Sequence, residues 1–172
     1  MNQLFGGAIV CSLPPTYSGL SELRNIPDNQ ELYADAETDS VFVVEILEYT
    51  AHVKDEDIAQ HCFEDIKDGN EAKTALVEES GIIDNFFVCN GVQTGVVKAH
   101  EQDPEGNDIR VWVGVLRLKD YNADVVLSVT SPIKISQESS SFGVVPNVER
   151  GKEVFVNALK SFKIVNYGLF AT

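Results

Sequence analysis

Few side chains in this sequence are of the types that carry out chemistry, and their spacing decides what each can do. His61 and Cys62 supply a base and a thiol side by side. Neighbours on a helix point roughly 100° apart, however, and Cys62 falls on an apolar stripe, so a core cysteine is expected. The glycines of GVQTGVVK are shared with phosphate loops. That stretch lacks the GK[ST] ending and sits in a strand pattern, which predicts a bulge or turn. DPEGND is acidic without the alternating ligand spacing of a calcium loop, and a hairpin turn accounts for its residues. His52, His61 and His100 show no metal-ligand spacing with one another or with a cysteine. No intrinsic metal or redox cofactor is expected.

What remains is carboxylate on a strand. Glu45 and Glu48 interrupt VVEILEY, the most hydrophobic strand of the chain, where valine or isoleucine would serve structure better. Three residues apart on a strand, the two point to opposite faces, which argues against a glycosidase-like acid and base pair. No nucleophile, base and oxyanion donor converge, so an independent enzyme is not expected.

Charge narrows the partners. Acidic residues outnumber basic ones 27 to 13, for a formal net charge of −14, and the basic residues are scattered. Without a run of Lys/Arg to follow phosphates, neither nucleic acid nor an anionic membrane is an expected partner. An acidic surface instead favours long-range attraction to a basic protein. No apolar run reaches the roughly 18 residues needed to span a bilayer. LFGGAIVCSL has no positive flank or small-residue cleavage site, and no Ser/Arg-rich transit segment precedes Leu4, so a soluble, unsecreted protein is expected. Cys11, Cys62 and Cys89 are odd in number with no CxxC pair, which indicates neither disulfides nor zinc and fits a cytosolic or nuclear protein with reduced thiols.

These residues must be held by a framework, and 172 residues at 44% hydrophobic suit one domain over 1–172. LFGGAIVCSLPP opens as a strand ending at Pro14 and Pro15, and SGLSELRNIP predicts a short helical turn. SVFVVEILEYTA predicts a central strand with both faces covered, Val41, Val43 and Leu47 on one side and Phe42, Val44 and Ile46 on the other. KDEDIAQHCFEDIKDGN is the clearest helix, with Ile58, Cys62, Phe63 and Ile66 in one stripe and Asp55, Glu56 and Asp57 in the first turn. EAKTALVEES predicts another short helix. Three hairpin-linked strands follow over GVQTGVVKAHE, IRVWVGVLRLKDY and DVVLSVTSPI. ISQESSSFG predicts a mobile loop, and Val154, Phe155, Ala158, Leu159 and Phe162 mark a C-terminal helix. The sum is an α+β fold, an antiparallel sheet with helices on both faces in a three-layer α/β/α sandwich.

One tract resists this accounting. RNIPDNQELY places DNQE directly after a proline, as a solvated turn or as part of a surface for a basic partner. Together with GGAI, PP, VVEILE and ALKSFKIVNYGLF in the same order, it makes the chain resemble the Ran guanine nucleotide release factors, the Mog family. The resemblance runs from Phe5 to Phe170, is most specific from Arg24 to Glu48 and is supported by VLRLKDYNADVVLSV. It implies a sandwich shared with the PsbP subunit of photosystem II and binding to the small GTPase Ran. It also implies release of Ran's nucleotide, preferentially GTP, and a role in nuclear protein import; a monomer found in nucleus and cytoplasm is expected. An adaptor that binds Ran without displacing nucleotide is the alternative. In the family an acidic surface around a P-D-x-Q-E tract and the acidic pair of the next strand serves Ran binding. Those features match Asp28, Gln30, Glu31, Glu45 and Glu48. Where some members carry Asp in the strand pair, this chain has Glu45, which keeps the charge and changes its reach.

Overall fold

The computed structural model describes residues 1–20, 25–97 and 103–171. In chain order they form β1 (Asn2–Leu4), β2 (Ile9–Cys11), β3 (Tyr17–Gly19), β4 (Gln30–Asp35), β5 (Ser40–Glu48), α1 (Asp55–Gly69), β6 (Thr74–Ile83), β7 (Phe86–Val96), β8 (Asn107–Leu118), β9 (Ala123–Lys134), α2 (Val148–Ser161) and β10 (Lys163–Ile164). Seven strands make one antiparallel sheet in the order β3-β4-β5-β9-β8-β7-β6, and β1, β2 and β10 make a small second sheet.

Strand β8 shows how the layers are built. Val111, Val113 and Val115 point into a core with Ile58, Ala59, Cys62 and Phe63 of α1. Trp112 points the other way, into a core with Val154, Phe155, Ala158 and Leu159 of α2 and with Leu4 and Ile9 of the small sheet. Period-2 alternation on the strand thus meets period-3.6 stripes on both helices. Gly114 makes the close approach of α2 possible: a Cβ there would lie 3.0 Å from a Leu159 methyl. Buried Gln93 joins α1 to β7, donating to the Phe63 carbonyl at 3.2 Å and accepting from Asn70 at 2.9 Å. The polar atoms of a fully buried amide are thereby satisfied.

Several expectations need correction. EAKTALVEES is not a helix: Thr74–Ile83 is an edge strand paired with β7 over its length, with a bulge between Val77 and Glu79. Its helix-forming residues yield to the pairing, a tertiary override of weak propensity. The opening strand is two short ones divided by a 3-10 turn at Phe5–Gly7, where Phe5, Gly6 and Gly7 all have positive φ. Tyr17–Gly19 is a strand and not part of a helical turn; residues 21–24 lie outside the described ones. The serine-rich loop is tied down: Ser136, Ser139 and Ser141 are buried, Ser136 donates to Asp103 at 2.9 Å, and Asn107 accepts from the Ser136 N–H at 2.8 Å. Finally, β5 is interior to the sheet, but only Phe42 and Val44 are buried along its middle. Val41 and Val43 stay half-exposed because α1 lies over β6, β7 and β8 and does not reach them.

Candidate functional site

Pro27 accepts from the Gln30 N–H at 3.0 Å and closes a turn that holds Asp28 and Asn29 in solvent. Asn29 then fixes the turn to β5, its carbonyl accepting from the Ile46 N–H at 2.9 Å while its side-chain amide donates back to the Ile46 carbonyl at 3.1 Å. The DNQE run is therefore half turn and half strand: Gln30 and Glu31 open β4, and parity sends them to opposite faces. Gln30 sits directly across from Glu45, and its amide donates to the Glu45 carboxylate. Both lie on the α1 side, since Glu45 is also across from Val126, which belongs to the core under α1.

Glu31 is across from Val44 on the α2 side, where one of its oxygens accepts from the Phe5 N–H at 2.7 Å. Glu48, exposed at the last residue of β5 and across from Ala123, shares that face. About 10 Å of strand separates Glu45 from Glu48. The structure brings Gln30 and Glu45 into contact. Asp28, Glu31 and Glu48 sit around the same end of the β4–β5 pair, Glu31 and Glu48 on the opposite face from Glu45, so the acidic surface wraps the end of the sheet and does not lie flat on one face.

The chain beyond Glu48 is held by a group that sequence reasoning passed over. The Arg117 side chain, 5% exposed, donates to the Asp124 side chain, 1% exposed, at 3.0 Å. It also donates to the Thr50 and Val53 carbonyls at 2.7 Å each and to Asp55 at 3.1 Å, and it lies 4.1 Å above the Tyr49 ring. Asp124 in turn accepts from the Thr50 N–H at 3.0 Å. Burial alone would lower the Arg117 pKa, but the bond to Asp124 and the charges of Asp124 and Asp55 hold it above its ordinary value. One guanidinium thus fastens the segment from β5 to α1. The signal in the sequence was a charged residue on each arm of an apolar hairpin, at positions that pair across it.

Cys11, Cys62 and Cys89 are all buried, and burial, before any neighbouring charge, pushes each thiol up to about 12. His61 faces Asp65 at 3.6 Å on the helix surface, while Cys62 is turned into the core. In GVQTGVVK, Gly95 at φ +68 marks a bulge of β7. Among the described residues no three of His, Cys, Asp and Glu group as metal ligands, and no helix is long and apolar enough to cross a membrane.

With this geometry in place, comparison with known proteins is decisive for the family. The family model described as "Ran-interacting Mog1 protein" matches residues 2–132. The chain belongs to the Mog1 family. Within it, the Ran guanine nucleotide release factor of Danio rerio is 30% identical over 97% of both chains. The nuclear import protein mog1 of Schizosaccharomyces pombe is 28% identical over 99% of this chain and 100% of its own. The crystal structure of the Saccharomyces cerevisiae Ran-binding protein Mog1p has the same fold, with a TM-score of 0.78 at 20% identity, covering 99% of this chain and 97% of that one. Asp28, Gln30, Glu31, Glu45 and Glu48 lie within the span that the family model matches.

Proposed function

We propose that this Mog1 protein binds Ran and promotes release of its guanine nucleotide, preferentially GTP, in support of nuclear protein import. The observation that carries the reading is the carboxylate-rich end of β4 and β5 in a chain whose Mog1 relatives are named for Ran and nuclear import. A GTPase holds its nucleotide through a phosphate-binding lysine, backbone amides and magnesium. A carboxylate brought to that site competes for the lysine and disfavours the metal, and nucleotide affinity falls by linkage because the binder prefers the nucleotide-free state. Glu45 and Glu48 are assigned that role. Asp28, Gln30 and Glu31 steer and dock, Gln30 by holding the Glu45 carboxylate.

On this reading residues 1–172 act as one domain and a monomer, with no cofactor and no catalytic chemistry of their own, in nucleus and cytoplasm. The family's PsbP-like three-layer sandwich belongs to the same reading, supported by α1 and α2 packing into separate cores. Stopped-flow release of a fluorescent GTP analogue from Ran tests it, with Glu45→Ala/Glu48→Ala beside the wild type. Acceleration by the wild type alone is expected. Binding without acceleration would reduce the protein to an adaptor, and equal acceleration by both would remove the two carboxylates from the mechanism.

A further inference from the structure

Just past Glu48 the surface changes character. The hairpin between β8 and β9 turns through Lys119–Tyr121 and Asn122, whose φ of +51 is left-handed. The Asn122 carbonyl accepts from the Tyr49 N–H at 3.0 Å, which ties this turn to the residue after Glu48. Tyr121 projects from it against the C-terminal turn Tyr167–Phe170, its ring centroid 4.9 Å from Tyr167 and 5.8 Å from Phe170. Phe170 is 9% exposed and closes the core, but Tyr121 and Tyr167 remain 44% and 45% exposed.

We propose that Tyr121 and Tyr167 form an aromatic anchor beside Glu48 on the Ran-binding surface, taking a basic side chain and the apolar surface around it. This inference rests on the function proposed above and extends it to residues no charge argument selects. The core does not require both rings at the surface, since Phe170 already covers it. What the pair provides is a large amphipathic area already ordered by its neighbours, which a partner meets with little further loss of side-chain freedom. Tyrosine is enriched where interfaces concentrate their energy. Exposed Asp120 precedes Tyr121 in the turn, and exposed Glu48 lies across from Ala123 where the turn rejoins the sheet, so two carboxylates stand near this turn against one cation in it, Lys119. A lysine or arginine drawn in by those carboxylates arrives over a tyrosine face, the geometry of a cation–π contact. The continuity with Glu48 and the sign of the charge both select a basic protein.

Titration of fluorescent Ran separates the two claims. Tyr121→Ala/Tyr167→Ala is expected to weaken binding by about tenfold or more, mainly by faster dissociation, at low and high salt alike. Tyr121→Phe/Tyr167→Phe, which keeps the faces, stays within about threefold of wild type. Because the alanine pair could disturb packing on Phe170, hydroxyl-radical footprinting of the unaltered protein is the second arm, with both rings protected when Ran is bound. Unchanged affinity of the alanine pair, or unchanged oxidation of both rings while wild type binds Ran, overturns the anchor and leaves the function standing. Failure of the wild type to bind Ran overturns both.

Discussion

Strands β5 and β8 are both interior to one sheet, yet they live in different environments. From Val111 to Val115 every residue of β8 is buried, because α1 lies on one face and α2 on the other. Strand β5 is buried only on the α2 side, and its α1-side residues Val41, Val43 and Glu45 are all half-exposed. A place in the middle of a sheet does not guarantee cover on both faces; the reach of the helix decides. Glu45 can stand in a hydrophobic strand because water and Gln30 reach it. The covered half gives the fold its stability, and the open half can carry charge toward a partner.

The largest effects should fall on the covered half. Phe63 is fully buried under α1, and Phe63→Ala is expected to lower unfolding stability by about 4 kcal/mol. Val43→Ala on the open face should lower it by about 1 kcal/mol or less. Urea denaturation of the two variants measures the contrast directly. Equal losses would mean that Val43 is packed as tightly as Phe63, and the division of the sheet would be wrong.

Arg117→Met sharpens the boundary between the halves. It strands the buried Asp124 carboxylate without its ion pair, and removing one partner of a buried pair is expected to cost about 3 kcal/mol. It also frees the carbonyls of Thr50 and Val53. Hydrogen exchange should therefore quicken first between Tyr49 and Asp55, beside Glu48, and only later in β8. Uniform loss of protection would show that Arg117 holds the whole sheet and not this junction.

The framework was legible where periodicity was strong. The two apolar faces of IRVWVGVLRL and the stripes of α1 and α2 reappear as the two cores. Strand β6 was not legible, because an edge strand shows only Ala75 and Val77 to α1, and Ala75, Leu76, Glu78 and Glu79 are good helix formers that mask its alternation. The candidate residues could be listed from the sequence, but not their grouping. Without the start of β4, nothing showed that Gln30 and Glu31 part to opposite faces. The partners of Glu31 and Arg117, at Phe5 and at Thr50 to Val53, are 26 and more than 60 residues away, beyond any local pattern.

A smaller effect should come from acid. The Asp103 carboxyl, although burial pushes the other way, is held below its ordinary pKa by the N–H groups of Gly106 and Glu105, the Ser136 hydroxyl and nearby Lys73. A lowered carboxyl stabilises fully above the ordinary aspartate value of about 3.9, and that contribution disappears as pH falls through the lowered value. The amides of Glu105, Gly106 and Ser136 should shift together in an NMR titration below about pH 4. Movement of these amides near neutral pH would contradict the assignment.

The smallest effect tests the open half alone. Asp28 is exposed in its turn, so Asp28→Asn should leave folding stability unchanged within about 0.5 kcal/mol. If Asp28 steers Ran without touching it, the substitution slows association about twofold at low salt and leaves dissociation as it was. The difference should then vanish near 0.5 M salt, where screening shortens the range of a surface charge to a few ångströms. A faster dissociation that persists at high salt would instead make Asp28 a direct contact. The turn fixed by Asn29 would then belong to the interface itself, along with the Gln30–Glu45 pair beside it.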